Sequence, residues 1–133
     1  MKQSIMAALL ILSLAVSAFA STPKTSNESK IDWQKAEQNY LAALSSDNIG
    51  LRQSATNFLA EYRLTGAVLP LIGVLQNDKV ERLRMAAALA LIQLGNKEGI
   101  DAVKDAAIYD GSEKVAKFCE QLINAASLEL SMK

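Results

Sequence analysis

Apolar positions recur along this chain with a step of 32 residues. Leu51, Leu83 and Val115 occupy the same place in three successive stretches. A fixed period in this range indicates a stack of supersecondary units, each burying its apolar face against its neighbours. Four further columns share the step: Ala55, Ala87 and Cys119; Phe58, Ala90 and Leu122; Leu59, Leu91 and Ile123; Tyr62, Leu94 and Ala126.

Each unit is predicted to hold two helices. The columns above form the apolar face of the second helix, and spacings of three, four and seven define a similar face on a first helix. No stretch shows the sustained alternation of a half-buried strand. The pattern therefore predicts an all-α fold, an α-solenoid of about three two-helix repeats. The first helices carry Ala36, Tyr40, Ala43 and Leu44; Val68, Leu71, Ile72 and Leu75; Ile100, Val103, Ala107 and Ile108.

Acidic residues mark the turns between paired helices. Asp78 and Asp110 lie 32 residues apart, and a Glu follows each of them three residues later. An Asp at a helix start can accept from unpaired backbone N–H groups, and a Glu at that spacing can reach back to the cap. We therefore predict that both Asp side chains cap second helices. In the first unit Ser46 aligns with them and Asp47 follows it, so either is predicted to be the cap.

The middle unit resembles the HEAT repeat. Pro70 is followed eight residues later by Asp78, then by Leu83-Arg84 and an Ala-rich helix that ends at Leu94-Gly95. The resemblance implies that the proline bends the first helix, that the Asp belongs to the turn and that the Arg bonds across neighbouring turns.

The flanking units keep part of this motif. The first retains Leu51-Arg52, and the third retains Asp110 but has Val115-Ala116 in place of the aliphatic–Arg pair. The resemblance therefore implies an Asp–Arg ladder that is interrupted at the third unit.

The second helix of the middle unit is apolar on nearly every side. Met85, Leu89 and Ile92 share the face opposite its core columns. The resemblance places them at the centre of a concave surface. The equivalent positions of the neighbouring units are mostly polar, and we predict a rim of Gln53, Asn57, Lys117 and Gln121.

Three interpretations of this apolar face remain open. In the first interpretation the face is buried inside the stack, because a central helix touches neighbours on several sides. In the second it binds a partner, because an apolar centre with a polar rim suits protein recognition. In the third it packs against a second copy of the chain, and the protein is then a homo-oligomer.

The N-terminal segment has the features of a secretory signal peptide. A short basic start precedes an apolar run of about twelve residues, and Ala18-Phe19-Ala20 supplies a small-x-small site. We expect cleavage after Ala20 and export to the periplasm or beyond the cell, with no stable membrane span afterwards. The predicted organisation is then a linker over 21–30, the repeat domain over 31–127 and a C-terminal tail over 128–133.

Composition argues against several classes of function. The chain has 14 basic and 14 acidic residues and no His. Nucleic-acid binders usually carry a basic surplus, so we expect that no nucleic acid is a partner of this chain. The lack of His removes the commonest general base, and a single Cys cannot form a zinc cluster. We expect no catalytic residues, metal or cofactor, and we expect Cys119 to be buried in its core column.

These observations predict an exported, non-enzymatic module that binds another protein or peptide, in the manner of a scaffold. The alternative is a structural or self-associating envelope protein with no separate ligand.

Overall fold

The computed structural model describes residues 31–132, and the predicted signal peptide and linker lie outside this range. Within it, all regular structure is helical, and the predicted all-α solenoid of three two-helix repeats is confirmed. The helices are α1 (Trp33–Ala43), α2 (Ile49–Glu61), α3 (Val68–Asn77), α4 (Glu81–Leu94), α5 (Lys97–Tyr109) and α6 (Glu113–Ser131), with a 3₁₀ turn at Thr65–Ala67 before α3.

The helices pack in pairs, and the second helix of each pair forms a common layer. The pairs are α1 with α2, α3 with α4, and α5 with α6, while α2, α4 and α6 contact one another in sequence. Helix α4 touches α2, α3, α5 and α6. Its central place explains why it is apolar on several sides, and Ala87, Ala88 and Leu91 are fully buried there.

Most of the predicted columns form the core. Leu59, Leu83 and Val115 are fully buried, and Cys119 is buried as expected. Leu51 is nevertheless 47 % exposed, because no repeat precedes the first one among the described residues to cover it. Tyr62 is also exposed. The placement of these two residues in the core was therefore wrong.

Ile108 is a third residue that was wrongly placed in the core. It was assigned to the buried face of α5 but is 69 % exposed. It shares a stripe of the helix with Lys97, Asp101 and Lys104, whose side chains form ion pairs of 2.7 Å (Lys97–Asp101) and 3.4 Å (Lys104–Asp101) at the end of the stack.

The acidic turn residues do not cap the second helices as predicted. Asp78 Oδ1 accepts from the backbone N–H of Val80 at 2.9 Å, and α4 begins only at Glu81. Asp110 Oδ1 accepts from Ser112 N–H at 2.8 Å in the same way. Each carboxylate therefore closes a tight turn two residues before the cap position, a local bond that Asp side chains readily make.

The first unit repeats this arrangement with a hydroxyl. Ser46 Oγ accepts from Asn48 N–H at 3.1 Å. Asn48 is the cap of α2, because its side chain accepts from Leu51 N–H at 3.0 Å. Neither Ser46 nor Asp47 caps the helix, so that prediction was wrong by one or two residues.

Pro70 is the third residue of α3, in its first turn. N–H groups in a first turn have no partner within the helix, so a proline there removes no hydrogen bond. The 3₁₀ turn at Thr65–Ala67 directly precedes this helix. Pro70 therefore lies at the start of a short helix, just after that 3₁₀ turn.

Helix α6 is longer than α2 and α4. Residues 128–131, which were predicted to belong to a tail, are helical and continue α6 to Ser131. The extension leaves Leu128 and Leu130 exposed. At the equivalent positions the earlier second helices end and the chain enters the next unit.

Candidate functional site

Two Arg–Asp pairs connect the turns of neighbouring units. Arg52 Nε lies 2.8 Å from Asp78 Oδ2, and Arg52 Nη2 lies 3.2 Å from Asp78 Oδ1. Arg84 meets Asp110 through the same two nitrogens at 2.9 Å each. In both pairs the Arg side chain is 14 % exposed and the Asp side chain 7 %. Bidentate, charge-assisted pairs of this kind give directional bonds between units.

Each Arg also bonds to the turn of its own unit. Arg52 Nη1 donates to the carbonyl of Ser46 at 2.7 Å, and Arg84 Nη1 donates to that of Asp78 at 2.8 Å. The ladder has no Arg in the third unit, where Ala116 takes the position. These residues hold the turns in register and are already satisfied by one another.

Burial raises the pKa of Asp110, but hydrogen bonds from Arg84 and from the Ser112 N–H outweigh it. The pKa of this carboxyl therefore lies below its usual value. The side-chain bond to Asp110 raises the pKa of Arg84 in turn. Both shifts favour the charged pair that joins the second and third units.

The apolar face of α4 divides between burial and exposure. Met85 and Ile92 are half-buried and pack against the core, whereas Leu89 is 40 % exposed. Internal burial thus accounts for much of Met85 and Ile92, whereas Leu89 remains accessible.

A groove runs beside Leu89 between α2 and α4, with a cavity volume of about 480 Å³. Gln53 and Asn57 of α2 form one wall. Gly50 and Arg82 lie among its lining residues, at the N-terminal ends of the two helices. Its apolar lining is Met85, Ala86, Leu89 and Phe118.

A second cavity of about 390 Å³ shares Gln53, Asn57 and Leu89 with this groove. It also includes Glu61 and Gln93, near the C-terminal ends of α2 and α4. Leu89 thus contributes to both cavities.

The predicted rim is only partly assembled. Gln53 and Asn57 line the groove with Met85 and Leu89, but Ile92, Lys117 and Gln121 are not among its lining residues. Lys117 and Gln121 are exposed on α6.

The sequence reasoning missed Phe118 and Arg82. Phe118 aligns with Ser54 and Ala86, so its column carries no repeated apolar signal. Its large apolar side chain between Lys117 and the core residue Cys119 was the only available indication.

Polar groups of the groove retain unused hydrogen-bonding capacity. Gln53 Nε2 donates to Asn57 Oδ1 at 3.1 Å, while Gln53 Oε1 is buried without a partner among the described residues. Asn57 is exposed, and its amide nitrogen donates to no described acceptor. An amide of this kind can pair with a peptide group, which offers the same donor and acceptor types.

The other reactive groups of the described chain do not form a second site. Burial, with a smaller effect of the Asp110 charge, raises the pKa of the Cys119 thiol to about 11. In residues 31–132 no three acidic or sulfur side chains are grouped to hold a metal ion. Across the same residues, no helix is both long enough and apolar enough to span a bilayer.

The paired helices, their 32-residue register and the turn ladder define a helical-repeat solenoid. The family model for HEAT repeats matches residues 38–123, and the chain belongs to the HEAT-repeat family. Comparison with curated proteins gave no match, and neither did comparison with solved structures. HEAT repeats are commonly protein-interaction modules.

Proposed function

We propose that this chain is an exported, non-enzymatic module that binds another protein or peptide through the groove between α2 and α4. The observation that carries the proposal is Leu89. This large apolar side chain is 40 % exposed at the centre of the second-helix layer, and the uncharged amides of Gln53 and Asn57 lie beside it.

The arrangement fits the anatomy of protein-binding surfaces, in which an apolar centre is surrounded by polar groups that can pair with the partner. Fully burying a leucine is worth about 1.5–3 kcal/mol, and part of that is already gained in the free chain. Leu89 alone therefore supports only modest affinity, and the wall amides must supply the remainder.

Site-specific photocrosslinking in the protein's own cells tests the proposal. A photoreactive residue replaces Asn57, on the groove wall, and in a parallel chain it replaces Gln76, which is exposed on α3. We expect a defined adduct from position 57, none from position 76, and loss of the adduct when Leu89→Glu is added. The matched control is Leu69→Glu, because Leu69 is 70 % exposed on α3, outside the groove.

The adduct also separates the two functional hypotheses. An adduct with a different protein supports the binding module. An adduct only with the chain itself supports the self-associating alternative. Circular dichroism must first show that the Leu89→Glu chain is folded, and an adduct that survives this change in a folded chain argues against the groove.

Export is a separate part of the proposal and has its own test. It is supported by the basic start, the apolar run and the small-x-small site that ends at Ala20. Sequencing the N-terminus of the protein isolated from its cells is expected to start at Ser21. A protein that retains Met1 would rule out the predicted cleavage.

A further inference from the structure

We infer that the groove recognises an extended peptide segment in which an apolar side chain lies two or four residues from a carboxylate. This inference rests on the proposed function and specifies the partner's chemistry. The apolar side chain contacts Leu89 and Phe118, and the carboxylate pairs with Arg82.

The charge of the groove supports an acidic ligand. Arg82 is the only charged residue among those that line it. Lys114 and Lys117 of α6 lie 32 residues after Arg82 and Met85, so they stand at the equivalent end of the next second helix. In residues 31–132, no carboxylate approaches any of these three cations to within 4.0 Å. The ladder uses Arg52 and Arg84, whereas Arg82 at this end of the groove has no ion-pair partner among the described residues.

The nearby acid Glu81 is the first residue of α4 and precedes Arg82. Among the described residues, no ion pair within 4.0 Å joins these two side chains. Arg82 therefore remains available for a ligand carboxylate.

The spacing of the groove sets the spacing of the ligand. Leu89 follows Arg82 by seven residues, which is about 10 Å along an α-helix. An extended peptide advances about 3.3 Å per residue and presents side chains to one face at every second residue, so a carboxylate at Arg82 lies two or four residues from a side chain at Leu89, and the long Arg82 side chain covers the remaining distance. Asn57, whose amide nitrogen donates to no acceptor within residues 31–132, lies on the wall beside this path and can donate to the peptide backbone.

A peptide fits this site better than an anionic membrane surface. Leu89, Met85 and Phe118 line a recess between helices, with Gln53 and Asn57 beside it. Arg82 is the only charged lining residue, whereas anionic bilayers are typically bound by clusters of about four to eight basic residues. A narrow extended segment reaches both the apolar lining and Arg82.

The test is a randomised library of capped octapeptides presented to the immobilised full chain, with enriched members sequenced by mass spectrometry. We expect peptides with Leu, Ile or Phe two or four residues from Asp or Glu to be enriched roughly tenfold over their Asn or Gln counterparts. Arg82→Gln should abolish this acidic preference and retain the apolar one. Lys79→Gln is the charge-matched control, because Lys79 is exposed beside the ladder, away from the groove.

Three results would overturn the inference: no acidic preference in the parent chain, an acidic preference that survives Arg82→Gln, or Arg82-dependent binding to phosphatidylglycerol vesicles without any peptide preference. A photocrosslinked partner that depends on Leu89, found together with no acidic preference, would remove this inference alone. If the experiments give neither a Leu89-dependent adduct nor an acidic preference, the proposed function is removed as well.

Discussion

Arg63 adopts an unusual backbone conformation at the end of α2. Its φ of 51° is the only positive value at a non-glycine residue in the described chain. The N–H of Leu64 donates to the carbonyl of Leu59 at 3.0 Å, which closes the end of the helix in the manner of a Schellman motif. Gly95 has the corresponding left-handed conformation after α4, which a glycine adopts without a steric penalty because it has no Cβ. The first unit therefore stores strain where the second has a glycine.

This difference predicts a stabilising substitution. A left-handed conformation costs a residue with a Cβ about 1 kcal/mol, whereas glycine adopts it freely. We expect Arg63→Gly to be about 1 kcal/mol more stable than Arg63→Ala in urea denaturation. The Ala chain is the control, because both changes remove the same exposed side chain. Equal stability of the two chains would mean that the turn relaxes without strain.

At the scale of elements, the turn ladder predicts a pH dependence. The folded pKa of Asp110 is lowered, so its pairing with Arg84 contributes stability that is fully present above the unfolded pKa of about 3.9. That contribution is lost as the pH falls through the lower folded value. We expect the parent chain to lose more stability between pH 7 and pH 2.5 than Asp110→Asn, as measured by urea denaturation at each pH.

The partner substitution gives the size of the effect at neutral pH. Arg84→Ala leaves the Asp110 carboxylate nearly buried without its counter-ion, a change that costs about 3–5 kcal/mol for fully buried pairs. We expect a loss of about 2–4 kcal/mol here, because the pair retains some exposure.

An Asp110→Asn chain that loses as much stability on acidification as the parent would show that other carboxyls dominate.

The helices were predictable because buried apolar positions recur at a fixed step along the chain. The turns were less predictable because several different local hydrogen bonds can close them equally well. An Asp at the cap and an Asp two residues before it lie at similar distances from the apolar columns of the helix. Asp78 and Asp110 were therefore predicted at the cap position, two residues from the true caps. Leu128 and Leu130 alternate in the manner of an irregular tail, yet they continue α6. The site was harder still, since Phe118 has no repeated counterpart.

At the scale of the whole molecule, α4 joins the three units. Repeat stacks are stabilised by contacts between neighbours, and long ones can unfold in parts. Here α4 contacts both members of the third unit and also α2 of the first. Leu91 of α4 is fully buried, and a Cβ added at Gly99 of α5 would lie only 2.9 Å from Leu91 Cδ2. This close packing predicts that the stack unfolds as one cooperative unit.

The single tryptophan makes this expectation testable. Trp33 belongs to the first unit, where its ring centroid lies 5.0 Å from that of Tyr62. Leu91→Ala removes core volume from the middle unit and should cost about 2–5 kcal/mol. We expect Trp33 fluorescence and far-ultraviolet circular dichroism to shift together to lower urea concentrations. The matched control, Leu69→Ala at an exposed position, should change stability by no more than about 0.5 kcal/mol. A Trp33 transition that stays in place while the helical signal shifts would show instead that the first unit unfolds independently, since its fluorescence would then report no coupling through α4.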